Sequence, residues 1–118
     1  MENGEFVVNF VGEEFGPLMH ILEQDFPYEV NEIEKAGLTG EKSRIVSPPR
    51  LKEAYAWLEC RMEDHLGTWI IGQVLEAEIR DKCIREVVDV EKVKPLSHIC
   101  GEYFVTEMKV REFKKPQN

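Results

Sequence analysis

Apolar and polar residues alternate over two long stretches in the middle of the chain, which is typical of β-strands with one buried face. The first stretch begins at residue 54, and its small and apolar side chains would share one face: Ala54, Ala56, Leu58, Cys60 and Met62. Its other face would carry Tyr55, Trp57, Glu59, Arg61 and Glu63. The segment EDHLG then turns the chain, and TWIIGQVLEAEIR returns as a second strand. The sequence therefore predicts a long antiparallel hairpin.

Two further strands are predicted near the ends of the chain. The segment GEFVVNF at the start is rich in β-branched and aromatic residues, and EYFVTEMKVREF precedes a polar tail. Within the returning strand of the hairpin, Gly72 indicates a β-bulge or a close backbone approach.

Helical spacing is confined to short segments. Apolar residues recur at helical spacing from Pro17, which is tolerated in a first turn, to Pro27, which ends the helix. Asn31 is the predicted N-cap of a second helix over residues 31–36, with Gly37 just past its end. The charged stretch 81–94 predicts a loop with a short helical piece at 90–93.

The chain has 118 residues and 13.7 kDa, enough for one domain with a buried core, and we expect residues 1–118 to form it. Four or five mainly antiparallel strands with two short flanking helices predict a mainly β fold. Closure into a barrel would remove exposed strand edges, but so few strands rarely close alone. Another chain or a further segment would then complete the barrel.

The composition and charge of the chain make several classes of function less favourable. The net charge of −8, from 23 acidic and 15 basic residues, disfavours nucleic acid and anionic membrane surfaces as partners. The three cysteines lack zinc-ligand spacing, so we expect reduced thiols, no metal site and a cytoplasmic protein. No nucleophile–base motif or phosphate loop is present. If the protein is an enzyme, a cofactor must carry the chemistry.

Four segments in order along residues 4–103 resemble one family. They are GEFVVNF, EIEKAGLTGEKSRIVSPPRLKEAYAWLEC, WIIGQVLEAEI and PLSHICGEYF. The family is the flavin reductase-like, FMN-binding split-barrel family, and its flavoredoxin-like and archaeal branch is the most similar. The resemblance implies an antiparallel split β-barrel with short flanking helices, an FMN cofactor, and hydride or electron transfer from NAD(P)H to the flavin or a further acceptor.

The resemblance begins in mid-domain. Family members carry a preceding stretch that supplies the first strands and most contacts to the FMN phosphate, so the sequence resembles the C-terminal two thirds of a split barrel and is expected to be incomplete at its N-terminus. Three explanations stay open: a truncated or frameshifted gene, a partner half encoded separately, or a short protein that completes its barrel by forming a homodimer.

In the family the loop matching PLSHICGEYF borders the flavin ring, so His98, Gly101 and Tyr103 are candidate cofactor-binding residues. A glycine permits backbone close to a flat ring. The family usually has a second glycine where this chain has Cys100, and that side chain could crowd the ring. The alternative is a plain turn with a partly buried histidine.

Three more candidates follow from the resemblance. His65, in EDHLGTW, resembles the family's hairpin-tip histidine and would orient a nicotinamide or substrate as the candidate catalytic residue; the alternative is an exposed turn residue. Lys35 and Arg50 could neutralise a phosphate, or could instead pair with neighbouring carboxylates. Two functions are weighed: an FMN-binding NAD(P)H oxidoreductase, and a non-catalytic, cofactor-free remnant or interaction subunit that keeps the dimer surface.

Overall fold

The computed structural model describes residues 4–24 and 31–117. Within them the chain is built mainly from antiparallel strands with a few short helices. The strands are β1 (Glu5–Phe10), β2 (Gly40–Glu41), β3 (Arg50–Leu51), β4 (Ala56–Leu66), β5 (Trp69–Ile79), β6 (Ser97–Cys100) and β7 (Tyr103–Val105). The α-helices are α1 (Met19–Leu22), α2 (Glu32–Lys35) and α3 (Val90–Val93), and 3-10 helices cover Glu13–Leu18 and Asp81–Cys83.

The central element is a three-stranded antiparallel sheet of order β1-β4-β5. The middle strand β4 pairs Glu59 with Val7 on one side and with Glu76 on the other. Two small antiparallel sheets, β2-β3 and β6-β7, accompany it. The predicted first strand and the long hairpin are therefore confirmed, and the sheets of the described residues do not close into a barrel.

The hairpin is longer than its turn residues suggested, because β4 continues through His65 to Leu66 before the chain reverses at Gly67. Gly72 pairs with Met62, and a bulge follows between Met62 and Asp64; its extra residue therefore lies on β4 and not on the returning strand, where the sequence predicted it. A Cβ built on Gly72 would lie 2.5 Å from the Phe6 ring, so the close approach at this position is made by a side chain of β1.

Both faces of β4 are covered, so the prediction of one buried face is wrong. Trp57 and Glu59, on the face opposite the one predicted to be buried, are only 4% and 1% exposed, while Cys60 on the predicted face is also buried. Residues 44–46, between β2 and β3, cover Glu59, and the two residues of β3 lie against Trp57, whose Nε1–H donates to the carbonyl of Leu51 at 2.7 Å. The guanidinium of Arg50 lies 4.2 Å from the centre of the Trp57 ring.

Glu59 holds this covering segment in place through its buried carboxylate. Oε2 accepts the N–H of Arg44 at 2.9 Å, and Oε1 accepts those of Ile45 at 2.7 Å and Val46 at 3.1 Å. Burial alone raises the pKa of the Glu59 carboxyl, but the three N–H donors outweigh it and leave the pKa below its usual range. A buried polar group in a mainly apolar layer is therefore fully partnered.

The helices are short and locally capped. The Asn31 side chain accepts the N–H of Ile33 at 3.0 Å and of Glu34 at 3.4 Å, which confirms it as the N-cap of α2. Gly37 follows the helix with a φ of +73°, and α3 lies where the sequence predicted it. Pro17 lies inside a 3-10 helix that begins four residues earlier, so the predicted start of an α-helix there is wrong, and its predicted end at Pro27 lies outside the described residues.

The last predicted strand is only partly correct. Strand β7 ends at Val105, and residues 106–117 form neither helix nor strand. The segment before it, expected as a loop, instead forms the hairpin β6-β7. The radius of gyration is 16.3 Å, above the roughly 13 Å of a compact domain of this length, so parts of the chain extend from the body.

Among the helices of the described residues, none has the length and apolar character needed to cross a membrane.

Replacing Glu59 with Gln should destabilise the fold by about 3 kcal/mol, because it removes a buried charged acceptor from three backbone N–H donors. The measurement is urea unfolding at neutral pH. The matched control is Glu63→Gln, an exposed carboxylate on the same strand, which should change the free energy of unfolding by less than about 0.5 kcal/mol. Equal effects of the two variants would contradict the role assigned to Glu59.

Stability should also fall in acid. The pKa values of Glu59 and Glu78 are lowered in the folded state, the latter by its hydrogen bond from Arg50, so their stabilisation is complete above the unfolded value of about 4.3. It is lost as the pH falls through the lower folded values. Urea midpoints measured from pH 7 to pH 3 should decline, and the decline should be shallower in Glu59→Gln. Parallel curves for the two proteins would contradict this assignment.

Candidate functional site

The β6-β7 hairpin places two of the predicted site residues together. His98 Nε2 lies 2.9 Å from the carbonyl oxygen of Gly101, within hydrogen-bonding distance. Gly101 has a φ of +53°, a conformation that side chains rarely adopt, and an irregular pairing between His98 and Cys100 accompanies the turn. The histidine therefore braces the turn that contains the glycine.

His98 also makes two side-chain contacts. Its ring stacks on Phe104, with centroids 4.5 Å apart and planes 19° apart. Its Nδ1 lies 3.9 Å from Oε1 of Glu23, a separation at which a protonated ring pairs with the carboxylate. These contacts fix the orientation of the imidazole and connect the hairpin to the residue that follows α1.

Backbone contacts attach the same hairpin to the start of the chain. The N–H of Leu96 donates to the carbonyl of Val11 at 3.0 Å, and Gly12 forms an isolated antiparallel bridge with Pro95. The hairpin is thereby held beside the 3-10 helix and α1, which follow Gly12 in the sequence.

A cavity of about 310 Å³ lies between these elements. Its lining residues come from both sides: Gly16, Pro17, Met19, His20, Glu23, Gly101, Glu102 and Phe104. A Cβ built on Gly101 would meet no heavy atom within 4 Å, so open space lies beside that backbone. The volume is at the lower end of those that hold small organic ligands, which are roughly 300–1,000 Å³.

The residues that line the cavity suit the ring of a flavin but not its phosphate. Phe104, Met19 and the bare backbone at Gly101 offer apolar contact and close approach to a flat ring. Within residues 4–24 and 31–117, the charged residues that line the cavity are the acidic Glu23 and Glu102, and no lysine or arginine does so. A doubly negative phosphate would be repelled there, so the residues fit the ring of FMN and do not fit its phosphate.

Two other residues that were predicted to bind the cofactor, Tyr103 and Lys35, do not line this cavity. Tyr103 is exposed and pairs with Cys100 in the hairpin, and strand alternation directs it away from the face that Phe104 occupies. Lys35 is exposed at the last position of α2.

Arg50 lies on β3 within a different cluster. Its guanidinium is buried and donates to Glu78 at 2.8 Å and to Glu41 at 3.4 Å. The hydrogen bond to Glu78 is the largest reason that the pKa of Arg50 is raised. With two carboxylates and the Trp57 ring as partners, the structure gives Arg50 the pairing that was the alternative to phosphate binding.

His65 lies far along the hairpin, where β4 pairs it with Ile70 just before the chain reverses. It is exposed, and its neighbours at the tip include the exposed Leu66 and Trp69. The structure therefore does not bring His65 together with His98 and Gly101 as lining of one cavity.

Sequence reasoning missed Phe104, Glu23 and Met19 as cavity residues. Alternation in EYFV indicated that Tyr103 and Phe104 face opposite sides, but not which side was enclosed. Glu23 and Met19 enter the cavity only because the hairpin packs beside the first helices, and no local pattern specifies that contact. Over residues 4–24 and 31–117, no three His, Cys, Asp or Glu side chains are grouped so that they could hold a metal ion.

Known proteins match this chain over most of its length. The model of the family described as "Flavin reductase like domain" matches residues 1–106. A protein of Aquifex aeolicus with no characterised function is 40% identical over 111 residues, which cover 89% of this chain and 57% of the relative. The chain spans little more than half the length of the curated relatives it matches.

Solved structures agree with the fold. Nitrilotriacetate monooxygenase component B from Bacillus cereus superposes with a TM-score of 0.82 at 28% identity, over 95% of this chain and 61% of that one. Flavoredoxin of Desulfovibrio vulgaris superposes with a TM-score of 0.80 at 19% identity, over 95% and 64% of the two chains, and this likeness concerns the fold alone. The resemblance found in the sequence is confirmed, and the chain belongs to the flavin reductase-like domain family.

Proposed function

We propose that this chain binds the isoalloxazine ring of a flavin, with FMN as the cofactor, in the cavity beside Gly101. The observation that supports this most is the open space at a side-chain-free turn, next to a His98–Phe104 stack that is already formed. A rigid, half-apolar pocket with a few polar groups is typical of small-molecule sites. Family membership supports the same choice of ligand.

The residues of the chain would bind and orient the ring. Gly101 lets the ring approach the backbone, and Phe104 supplies apolar contact on the hairpin side. His98 acts as a positioning residue, because it holds the Gly101 carbonyl and so fixes the turn. Bound flavin would supply the redox chemistry, exchanging hydride with NAD(P)H and passing electrons to an acceptor.

The remaining candidates keep subsidiary roles in this proposal. His65, at the exposed tip of the long hairpin, would reach the nicotinamide side of a site in a neighbouring subunit of a homodimer. Tyr103 would border the ring from outside the cavity. In this ring-only site neither candidate cation would contact the phosphate, because Lys35 lies outside the cavity at the end of α2 and Arg50 is committed to two carboxylates. Cys60, Cys83 and Cys100 are free thiols, which supports a cytoplasmic setting.

A second function is a cofactor-free interaction subunit that retains the fold without catalysis. The acidic character of the cavity favours it, because Glu23 and Glu102 would oppose an anionic cofactor.

The proposal predicts that this chain binds riboflavin about as tightly as FMN, within about threefold, because the cavity contacts the ring and offers nothing to the phosphate. Flavin fluorescence quenching at physiological ionic strength measures both dissociation constants. FMN binding more than about thirtyfold tighter would show a cationic phosphate contact and contradict the ring-only site. Absence of binding by both ligands would favour the cofactor-free subunit.

Replacing His98 with Ala should weaken riboflavin binding about tenfold, because the turn loses its hydrogen bond and Phe104 loses its stacking partner. Ser97→Ala, an exposed neighbour on the opposite face of β6, is the matched control and should bind like the parent protein. Thermal unfolding of both variants checks that they remain folded. Equal affinities would contradict the positioning role of His98.

A further inference from the structure

The β6-β7 hairpin meets the first helices at its base and again nearer its turn. At the base the joint is made of backbone, through the contacts of Val11 and Gly12 described above. Nearer the turn it is made of side chains, where His98 Nδ1 lies 3.9 Å from Oε1 of Glu23. The backbone joint carries no titratable group, whereas both members of the side-chain joint can gain or lose a proton. Protons can therefore open or close the contact between Glu23 and His98.

His98 lies between two oxygen acceptors, and this arrangement decides how many protons its ring needs. The Gly101 carbonyl, 2.9 Å from Nε2, can only accept, so that contact requires a proton on Nε2. Nδ1 faces the Glu23 carboxylate, which is also an acceptor while it is ionised. A neutral imidazole has one proton for the two acceptors, whereas an imidazolium donates to Gly101 and pairs with Glu23. Protonation of His98 therefore completes both contacts.

His98 does not line the cavity, but the residues that it contacts do. Its ring stacks on Phe104 at 4.5 Å, and both Phe104 and Gly101 are lining residues on the hairpin side. Glu23 lines the cavity from the opposite side, where its N–H donates to the carbonyl of Met19 at 2.9 Å and so fixes it to α1. A proton on His98 Nδ1 thus ties the two sides together and offsets the charge of Glu23 beside the ring site.

We propose that Glu23 and His98 form a proton-dependent link across the flavin cavity, and that Glu23 is a positioning residue that acts through His98 on the Gly101 turn. This regulation rests on the proposed function. The link needs an ionised Glu23 and a protonated His98, so it is complete in mildly acidic solution. It is lost as the pH rises through the range in which histidines titrate, roughly pH 5 to 8. Flavin binding is therefore strongest at the acidic end of that range.

Other titratable groups surround the link, on α1, the 3-10 helix before it, the end of α3 and the hairpin itself. They are His20, Glu13, Lys94, Cys100, Glu102 and Tyr103. Glu13 and Lys94 pair with each other at 3.2 Å. Carboxylates, lysines, thiols and phenols ordinarily keep their charge between pH 5.5 and pH 7.5. His20 lines the same cavity and is therefore the group whose titration would resemble that of His98.

The first test uses the ligand-free chain, so its result does not depend on flavin. Solvent exchange of the amides of residues 97–105 is measured by NMR at pH 5.5 and pH 7.5 and converted to protection factors. In the parent chain these factors should be about threefold higher at pH 5.5, the size expected of one ion pair between half-exposed side chains. Glu23→Gln should reduce the ratio to one, whereas His20→Gln should keep it. A ratio of one in the parent chain, or an unchanged ratio in Glu23→Gln, overturns the link.

The second test measures the dissociation constant of riboflavin by fluorescence quenching at the same two pH values, between which oxidised riboflavin has no titrating group. The parent chain should bind about threefold more tightly at pH 5.5. Glu23→Gln should bind with equal affinity at both pH values. His98→Gln should do the same, because its amide can donate to the Gly101 carbonyl but cannot gain a proton. Glu102→Gln is the matched control: it removes another carboxylate from the cavity and should keep the threefold ratio.

The two tests distinguish failure of this link from failure of the proposed function. Equal riboflavin affinities of the parent chain at both pH values, or a threefold ratio that persists in Glu23→Gln, overturn the regulation. Riboflavin that binds at neither pH contradicts the proposed function and its regulation together, while the exchange ratio still decides whether the link exists. Thermal unfolding at both pH values identifies a variant that does not fold, and Glu23→Gln and His98→Gln are then read independently.

Discussion

The buried carboxylate of Glu59 determines how the segment between β2 and β3 covers the sheet. It lies on the central strand, is 1% exposed, and accepts three consecutive backbone N–H groups of the covering segment. Without those donors its burial would carry a large desolvation cost, and without Glu59 the donors would be left unpaired. Each side therefore requires the other, and Arg50 is positioned over Trp57 as the chain leaves this segment.

The candidate site depends on a second set of contacts, made by the two residues that directly follow β1. The Val11–Leu96 and Gly12–Pro95 contacts bring the β6-β7 hairpin beside the first helices, and the cavity is the space between them. The site is thus assembled from segments about eighty residues apart in sequence, with His98 bracing the turn. Its acidic edge, formed by Glu23 and Glu102, would repel a phosphate, which is why the proposed site takes only the ring of a flavin.

Local sequence patterns predicted several strands and helices correctly, but they did not predict which faces of those elements are buried. Alternation predicted β1 and the long hairpin, and Asn31 predicted the start of α2, because these depend on residues near in sequence. The same alternation placed Glu59 on the face opposite the predicted buried one, since nothing local shows that residues 44–46 will return to cover it. EYFVTEMKVREF has strand propensity throughout, yet it pairs only to Val105, because pairing needs a partner that propensity does not specify.

The residues of the candidate site were likewise predicted only in part. His98 and Gly101 were found from a resemblance in a short segment, and the structure places them 2.9 Å apart. Lys35, Arg50 and His65 were assigned by the same resemblance, but none of them lines the cavity that contains Gly101. The acidic lining of the cavity could not be predicted either, because a net charge of −8 does not show which acidic residues lie together in the fold.

The central claim is that the space between the first helices and the β6-β7 hairpin is the flavin-ring site. The most direct measurement is an amide chemical-shift map of the ¹⁵N-labelled chain during addition of riboflavin. The account predicts that the largest changes cluster at residues 16–23 and 97–104. Changes centred on Lys35 and Arg50, with Gly101 and Phe104 unmoved, would contradict it.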